Sequence, residues 1–175
     1  MNRYALFQSR SAPAAWLAAA GIVLAASAIA ATAQQDPPVK EMTAAEEEAW
    51  ATATEAAAEE ACAACHPVAE ITQTRHTWKE WTDVFDRMAA LGLSATEAQL
   101  GEVKLYMARY YGAVNINTGS AAEIAVVLGL PAKEASAIVE YRTKNGPFAD
   151  VAALAKVPGV NEDKIRGQPA AVKFD

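Results

Sequence analysis

Cysteine, histidine and positive charge are all scarce in this chain of 175 residues. It contains two cysteines and two histidines, and its 15 lysines and arginines are outnumbered by 21 aspartates and glutamates. A zinc site built from two separate pairs of cysteines or histidines is therefore excluded. With no third histidine, no nucleophile, base and acid combination is visible, so we expect neither an enzyme nor a small-molecule substrate.

The negative charge is concentrated in one part of the sequence. Residues 36–112 carry 14 acidic and 6 basic side chains, whereas residues 114–175 carry seven of each. An acidic region repels nucleic acid, and a neutral one attracts it only weakly. The charge distribution therefore favours a basic protein as the partner and makes DNA the less favoured one.

The first 33 residues have the features of a secretory signal peptide. Arg3 and Arg10 give a positive start, residues 14–31 are almost wholly apolar, and Ala31-Thr32-Ala33 offers small side chains for cleavage. The apolar run is also about long enough to cross a bilayer, so an uncleaved membrane anchor is the alternative. Either way we expect a periplasmic protein, which continues at residues 34–42 with a flexible or extended linker.

The two cysteines lie together in Cys62-Ala63-Ala64-Cys65-His66. A Cys-x-x-Cys-His sequence is the attachment pattern of a c-type haem. Cysteines three positions apart share one face of a helical turn, so both sulfurs can reach the same edge of the porphyrin. His66 would then be the proximal iron ligand. A thioredoxin-like redox pair would instead need a βαβ context, which the sequence lacks.

Capping patterns predict three helices around this motif. Thr43 to Glu46 opens the first helix, over residues 44–61, and a loop is expected from Pro67 to His76. Thr77 to Glu80 opens the second, which ends near Gly92, and Ser94 to Glu97 opens the third, which ends at Gly112. Three helices in residues 43–112 make a small core that a bound haem would enlarge.

Residues 59–112 resemble a compact single-haem class of cytochrome c. Besides the haem motif, the likeness is carried by Arg75, Trp81, Arg87-Met88, Gly92 and Tyr106. Related domains occur in quinohaemoprotein dehydrogenases. The resemblance implies one covalently attached haem c, bound through Cys62, Cys65 and His66. It also implies export, because c-type haem is attached outside the bacterial cytoplasm.

The sixth iron ligand is open among several residues. Met88 is our first choice, because it lies on the apolar face of the second helix and matches the Arg-Met position of the resembled family. Met107 and His76 are the alternatives, as is an open site. Arg75 is predicted to pair with a haem propionate, which a planar guanidinium suits.

Residues 114–175 resemble the tandem helix-hairpin-helix module of bacterial competence DNA-uptake proteins. The likeness covers nearly the whole segment and is carried by five short sequences: Val114-Asn115-Ile116-Asn117-Thr118, Leu128-Gly129-Leu130-Pro131, Ala137-Ile138-Val139-Glu140-Tyr141-Arg142, Asn145-Gly146-Pro147-Phe148 and Lys156-Val157-Pro158-Gly159-Val160. Such modules bind DNA through backbone amides of a Gly-apolar-Gly hairpin, as the resemblance implies. In this chain the first hairpin reads Gly129-Leu130-Pro131 and the second reads Gly159-Val160-Asn161, so the second glycine of each is replaced. Proline supplies no amide, and specific DNA binding is therefore less favoured.

The sequence thus predicts an all-α protein, with a three-helix cytochrome domain followed by a tandem helix-hairpin-helix domain. The leading functional prediction is an exported monohaem carrier of single electrons between a periplasmic dehydrogenase or cytochrome and an acceptor, with the second domain as a docking element. A DNA-binding or DNA-uptake component that carries a haem is one alternative. A relay subunit of a larger electron-transfer complex is the other.

Overall fold

Residues 35–175 are described in a computed structural model, and the predicted signal peptide lies outside them. Eight α-helices occur in this part of the chain: α1 (Ala44–Cys62), α2 (Val68–Ile71), α3 (Trp78–Ala90), α4 (Glu97–Tyr111), α5 (Ala121–Leu128), α6 (Ala132–Asn145), α7 (Val151–Leu154) and α8 (Glu162–Arg166). The prediction of a mostly helical protein is confirmed. No helix in residues 35–175 combines the length and the apolar character that a membrane crossing requires.

A very small sheet accompanies the helices. Strands β1 (Val114–Asn115) and β2 (Val172–Lys173) pair in parallel, with Val114 opposite Val172. The amide of Ile116 also donates to the carbonyl of Lys173 at 2.9 Å. The last residues of the chain are therefore held against the segment that follows α4, which the prediction of an all-α fold did not include.

The sequence predicts six helix caps, and five of them are present, at Thr43, Thr77, Ser120, Asp150 and Asn161. Thr43, Thr77 and Ser120 each form a complete capping box, with the glutamate three residues later bonding back to the cap amide. The predicted Ser94–Glu97 box is wrong in register, because Thr96 caps α4 with Gln99 as its partner. The loop predicted after Pro67 is also interrupted, by the single turn of α2.

Two hydrophobic clusters form the interior. The first lies among α1, α3 and α4 and includes Trp81, Phe85, Tyr106 and Met107. The second lies among α5 to α8 and the small sheet. Val126 of α5 packs on the first cluster, and Val39, which precedes α1, packs on the second. Residues 34–175 accordingly form one compact unit.

The predicted linker is extended and attached along its length. The indole of Trp78 donates to the carbonyl of Gln35 at 2.9 Å, and Lys40 pairs with Glu102 of α4 at 2.5 Å. Pro37 is buried. These contacts hold residues 35–43 across both hydrophobic clusters, so this segment acts as a tie between them.

Candidate functional site

The cysteine motif lies at the carboxyl end of α1. The helix ends at Cys62, and the amides of Cys65 and His66 both donate to the Cys62 carbonyl, at 3.2 and 3.3 Å. This turn brings the two cysteines to opposite levels of exposure, because Cys62 is buried and Cys65 is exposed. Both thiols are free. The His66 ring is half-buried, and its Nδ1 lies 3.2 Å from the carbonyl of Pro67.

The position of the thiols argues against a redox-active cysteine pair. Burial raises the pKa of the Cys62 thiol, and the proximity of Cys65 adds to that shift. Reactive pairs lie where the thiolate is stabilised, at a helix amino end or beside a cation. Here the helix end carries partial negative charge, which disfavours a thiolate. The pair is therefore poorly suited to thiol–disulfide exchange.

A cavity of about 280 Å³ adjoins both cysteines. Its wall is mostly apolar and comes from α1, α3, α4 and the turn between the last two helices, including Ala57, Phe85, Leu93, Leu100 and Val103. This volume lies near the lower end of the range for small-ligand pockets. The side chains that line it belong to the same helices that form the first hydrophobic cluster.

One buried polar atom near this region lacks a partner. The indole N–H of Trp81 donates no hydrogen bond, although the side chain is fully buried. Trp81 lies one helical turn before Phe85, which lines the cavity, and their ring centroids are 6.2 Å apart. An unpaired buried N–H is unfavourable and requires an explanation. The two thiols and the apolar wall fit a haem, whereas neither His66 nor Trp81 lines this cavity.

The two methionine candidates differ in their surroundings. Met88 lies three positions after Phe85 on α3 and is half-buried, so it neighbours a cavity-lining residue on one helix face. Met107 lies four positions after Val103 on α4 and is completely buried in the first hydrophobic cluster. Among the described residues that line the cavity, neither methionine is present. Met107 therefore has a packing role that Met88 lacks.

Arg75 and His76 are both engaged near the end of α4. The Arg75 guanidinium donates through Nη1 to the carbonyls of Tyr110 and Gly112, at 3.3 and 2.9 Å. His76 contacts the edge of Trp81, with ring centroids 4.8 Å apart, and its backbone bridges to Gly112. The structure thus gives Arg75 a helix-terminating role that spacing along the sequence did not indicate, while its pairing with a propionate stays a prediction.

The two hairpins of residues 114–175 have a different character from the cysteine motif. At the first hairpin, the Arg109 guanidinium packs against Gly129, where an added Cβ would lie 2.5 Å from Nη2. The amide that opens α6, at Ala132, donates to the Glu41 carboxylate at 3.3 Å. At the second hairpin, the amide of Asn161 donates to the Glu134 carboxylate at 2.7 Å. At each hairpin, an amide is therefore bound to a carboxylate of the same chain.

Side-chain donors around the first hairpin are also occupied. Arg109 donates to Glu47 at 2.9 Å and to Gln168 at 3.1 Å, and Lys164 donates to the carbonyl of Gly129. A second cavity, of about 410 Å³, lies beside this hairpin and is lined by residues 38–43, Trp50 and Leu130. Trp50 precedes Cys62 by twelve residues, about 18 Å along α1, so this cavity is separate from the one at the thiols.

In the described residues, no group of three or more histidine, cysteine, aspartate or glutamate side chains is arranged to hold a metal ion. The candidate iron ligands, His66 and Met88, do not depend on such a group, because a porphyrin supplies the other four ligands.

Comparisons with known proteins concern the second part of the chain. A model of the helix-hairpin-helix motif matches residues 110–167. Over 58 residues, the chain is 45% identical to the mouse endonuclease/exonuclease/phosphatase family domain-containing protein 1 and 43% identical to the human protein of that name, covering 31% of this chain and 10% of each relative. Over 50 residues it is 46% identical to an uncharacterized protein of Haemophilus influenzae, covering 28% of this chain and 45% of that protein.

These likenesses are partial. The chain spans about a tenth of the length of the mammalian relatives and less than half of the Haemophilus protein. No solved structure matches this chain. The paired short helices α5–α6 and α7–α8, with Gly129 and Gly159 at positive φ in their turns, agree with the matched motif. Residues 110–167 of this protein therefore carry a helix-hairpin-helix motif.

Proposed function

We propose that this protein is an exported monohaem cytochrome c that carries single electrons and has no substrate chemistry of its own. The observation that supports this most strongly is the arrangement at the end of α1, where two free thiols line a mostly apolar cavity and His66 follows the second of them in the chain. A haem bound there would supply the one-electron chemistry. The periplasmic location follows from the signal peptide predicted in residues 1–33, and the donor would be a dehydrogenase or another cytochrome.

Each residue of the site has a defined task in this proposal. Cys62 and Cys65 would hold the haem covalently, and His66 would be an iron ligand, with its ring oriented by the contact of Nδ1 with the Pro67 carbonyl. Phe85 and Leu100 exclude water from the porphyrin face, and burial of this kind sets the potential. The buried N–H of Trp81 is available for a polar group at the porphyrin edge.

Expression with the periplasmic haem-attachment machinery tests the proposal. We expect a reduced spectrum with a sharp α band and haem that stays with the chain after acid denaturation. A Cys62→Ser, Cys65→Ser double variant should lose all covalent haem, whereas a His76→Ala variant, made as a matched control, should keep it. Free thiols in the wild-type protein, purified from cells that mature other c-type cytochromes, would contradict the proposal.

The sixth ligand has a separate test, with Met88 as our proposal. Replacing Met88 with alanine should remove the weak absorption band near the red end of the spectrum that iron–sulfur ligation gives. Because Met107 is completely buried, a Met107→Ala variant should instead lose about 2–5 kcal/mol of stability and retain that band. Survival of the band in the Met88 variant and its loss in the Met107 variant would reverse the assignment.

The helix-hairpin-helix module is, in this proposal, a docking element that attaches the carrier to its assembly. Its net charge is zero, and its hairpin amides are bound to Glu41 and Glu134. The second candidate function, a DNA-binding component that carries a haem, is favoured by the motif match itself. It requires duplex binding that weakens steeply with salt, so a mobility-shift titration at low ionic strength separates the two functions.

A further inference from the structure

The sequence around the haem motif lacks positive charge altogether. Residues 44–74 contain seven glutamates and no lysine, arginine or aspartate. The structure places this stretch on α1, on the turn that carries the cysteines and on α2. Glu59, Glu60 and Glu70 lie within five residues of a cysteine of the motif, whereas Glu46, Glu47 and Glu48 lie at the other end of α1.

Three of these glutamates are close in the sequence to the exposed Cys65. Glu59 and Glu60 occupy the last turn of α1, Glu70 lies on α2, and all three are exposed. Glu60 also lines the cavity that adjoins Cys62 and Cys65. The carboxyl end of α1 adds partial negative charge at the same place. The opening of the haem site is thus electrostatically negative.

Basic residues close to this stretch do not neutralise it. Lys40 and Arg75 flank residues 44–74 in the sequence, but Lys40 is paired with Glu102. Arg75 directs Nη1 at backbone carbonyls of the α4 terminus. Arg87 lies in the last turn of α3 directly after Asp86, and the Lys104 ammonium of α4 lies over the ring of Trp78. The balance at the opening stays negative.

An exposed apolar side chain lies at the edge of the same opening. Leu91 is 82% exposed and immediately precedes residues 92–95, all of which line the cavity. It is the one large hydrophobic side chain so exposed among residues 35–175. An exposed apolar residue beside a charged rim is a feature of surfaces that contact other proteins.

We propose that Glu59, Glu60, Glu70 and Leu91 form the surface through which electrons are exchanged, called here the acidic rim, and that the redox partner presents a patch of lysine and arginine to it. The proposal rests on the proposed haem function and adds the kind of partner and its place of contact. Opposite charges steer such encounters and accelerate association. Electron-transfer contacts are small, so a few charges and one apolar residue are sufficient.

Two inorganic oxidants of opposite charge test this surface without the natural partner. The reduced protein gives one electron either to the tris(phenanthroline)cobalt(III) cation, which becomes cobalt(II), or to ferricyanide, which becomes ferrocyanide. We expect the rate with the cation to fall as salt is added and the rate with ferricyanide to rise. Salt slopes of the opposite signs would overturn the proposal.

Charge-reversal variants locate the effect. A Glu59→Lys, Glu60→Lys variant should react about tenfold more slowly with the cation and faster with ferricyanide at low salt. Its matched control is Glu140→Lys, Asp163→Lys, which reverses two exposed acidic residues of the helix-hairpin-helix module and should leave both rates close to wild type. Equal effects of the two variants would show that net charge, and not the acidic rim, controls the rate.

The visible spectrum of each preparation distinguishes the two proposals. A protein without covalent haem overturns the proposed function before any rate is measured. A protein with covalent haem whose kinetics ignore Glu59 and Glu60 overturns the acidic rim alone.

Discussion

The cysteine motif and the helix-hairpin-helix hairpins both look functional in sequence, but their polar groups are in different states. At the end of α1, the two thiols are free and the indole N–H of Trp81 has no partner. At the hairpins, the amides of Ala132 and Asn161 are bound to carboxylates of the same chain. Folding has therefore left polar groups available for a ligand at the cysteine motif, whereas it has paired those amides at the hairpins.

The difference has a physical cause. A thiol in an apolar setting forms weak hydrogen bonds, so folding does not need to pair it. A buried amide or guanidinium must be paired, because leaving it unpaired costs a large desolvation penalty. The half-buried Arg142 guanidinium meets that requirement with the carbonyls of Ile116 and Gly119. The amides of Ala132 and Asn161 are exposed and are nevertheless bound to the carboxylates of Glu41 and Glu134.

The largest expected effect is the loss of stability when the Arg142 guanidinium is removed. Arg142 is half-buried and donates to the carbonyls of Ile116 and Gly119, where burial lowers the pKa of its guanidinium. Arg142→Met should destabilise the haem-free protein by about 3 kcal/mol, since two carbonyls lose a charged donor. Chemical denaturation measures this change.

The matched control is Cys65→Ser, at an exposed residue of the cysteine motif. It should change the stability of the haem-free protein by less than about 0.5 kcal/mol. Similar losses for the Arg142 and Cys65 variants would remove the contrast between the two regions.

The next largest effect concerns the two thiols of the haem-free protein. Cys62 is 3% exposed and its thiol has a raised pKa because of burial, whereas Cys65 is exposed. Iodoacetamide should therefore modify Cys65 at least about tenfold faster at neutral pH. Peptide mass spectrometry over time measures both rates, and denatured protein is the control, in which they should converge. Faster labelling of Cys62 would indicate a redox-type cysteine pair.

A smaller effect is expected at the hairpins. Wild-type protein should show no salt-sensitive binding to duplex DNA, because carboxylates occupy the hairpin amides. A Glu41→Gln, Glu134→Gln variant should gain weak binding at low salt, with a Kd on the order of 10⁻⁴ M, the non-specific range. Fluorescence anisotropy measures it, with Glu140→Gln as the control. Equal binding by wild type and double variant would show that these carboxylates do not control access.

The smallest effect is the pH dependence of the tie formed by residues 35–43. The hydrogen bond from Lys40 is the largest cause that lowers the pKa of Glu102, and the Trp50 indole contributes as well. A lowered carboxyl pKa contributes stability that is complete above the unfolded value of about 4.3 and is lost as the pH falls through the folded value. The difference in Tm between wild type and Glu102→Gln should therefore shrink below pH 4. A difference that stays constant down to pH 2 would contradict this assignment.

Local sequence signals predicted most helix ends because a cap acts over only three residues. Thr43, Thr77, Ser120, Asp150 and Asn161 all cap the helices expected of them. The predicted cap at Ser94 was wrong because two overlapping segments, Ser94–Glu97 and Thr96–Gln99, both fit the capping-box pattern, and α4 uses the second. Residues 93–95 form part of the cavity wall instead, and this tertiary contact accompanies the later start of α4.

Other features left no local signal. Strands of two residues are too short for an alternating pattern, so the pairing of Val114 with Val172 could not be read from the sequence. The donation from Arg75 to the α4 carbonyls joins residues 35 positions apart or more. Residues 35–43 had the composition of a linker, and only the side chains they meet, such as Trp78 and Glu102, make them a tie.

The sequence by itself determined the helical character, the spacing of Cys62, Cys65 and His66, the match of residues 110–167 to a helix-hairpin-helix motif and the absence of basic residues from 44–74. These features depend on neighbours in the chain or on composition alone. Only the tertiary structure decided which polar groups stay free and which are paired, because partners such as Glu41 and Ala132 are 91 positions apart and meet only when the chain is packed.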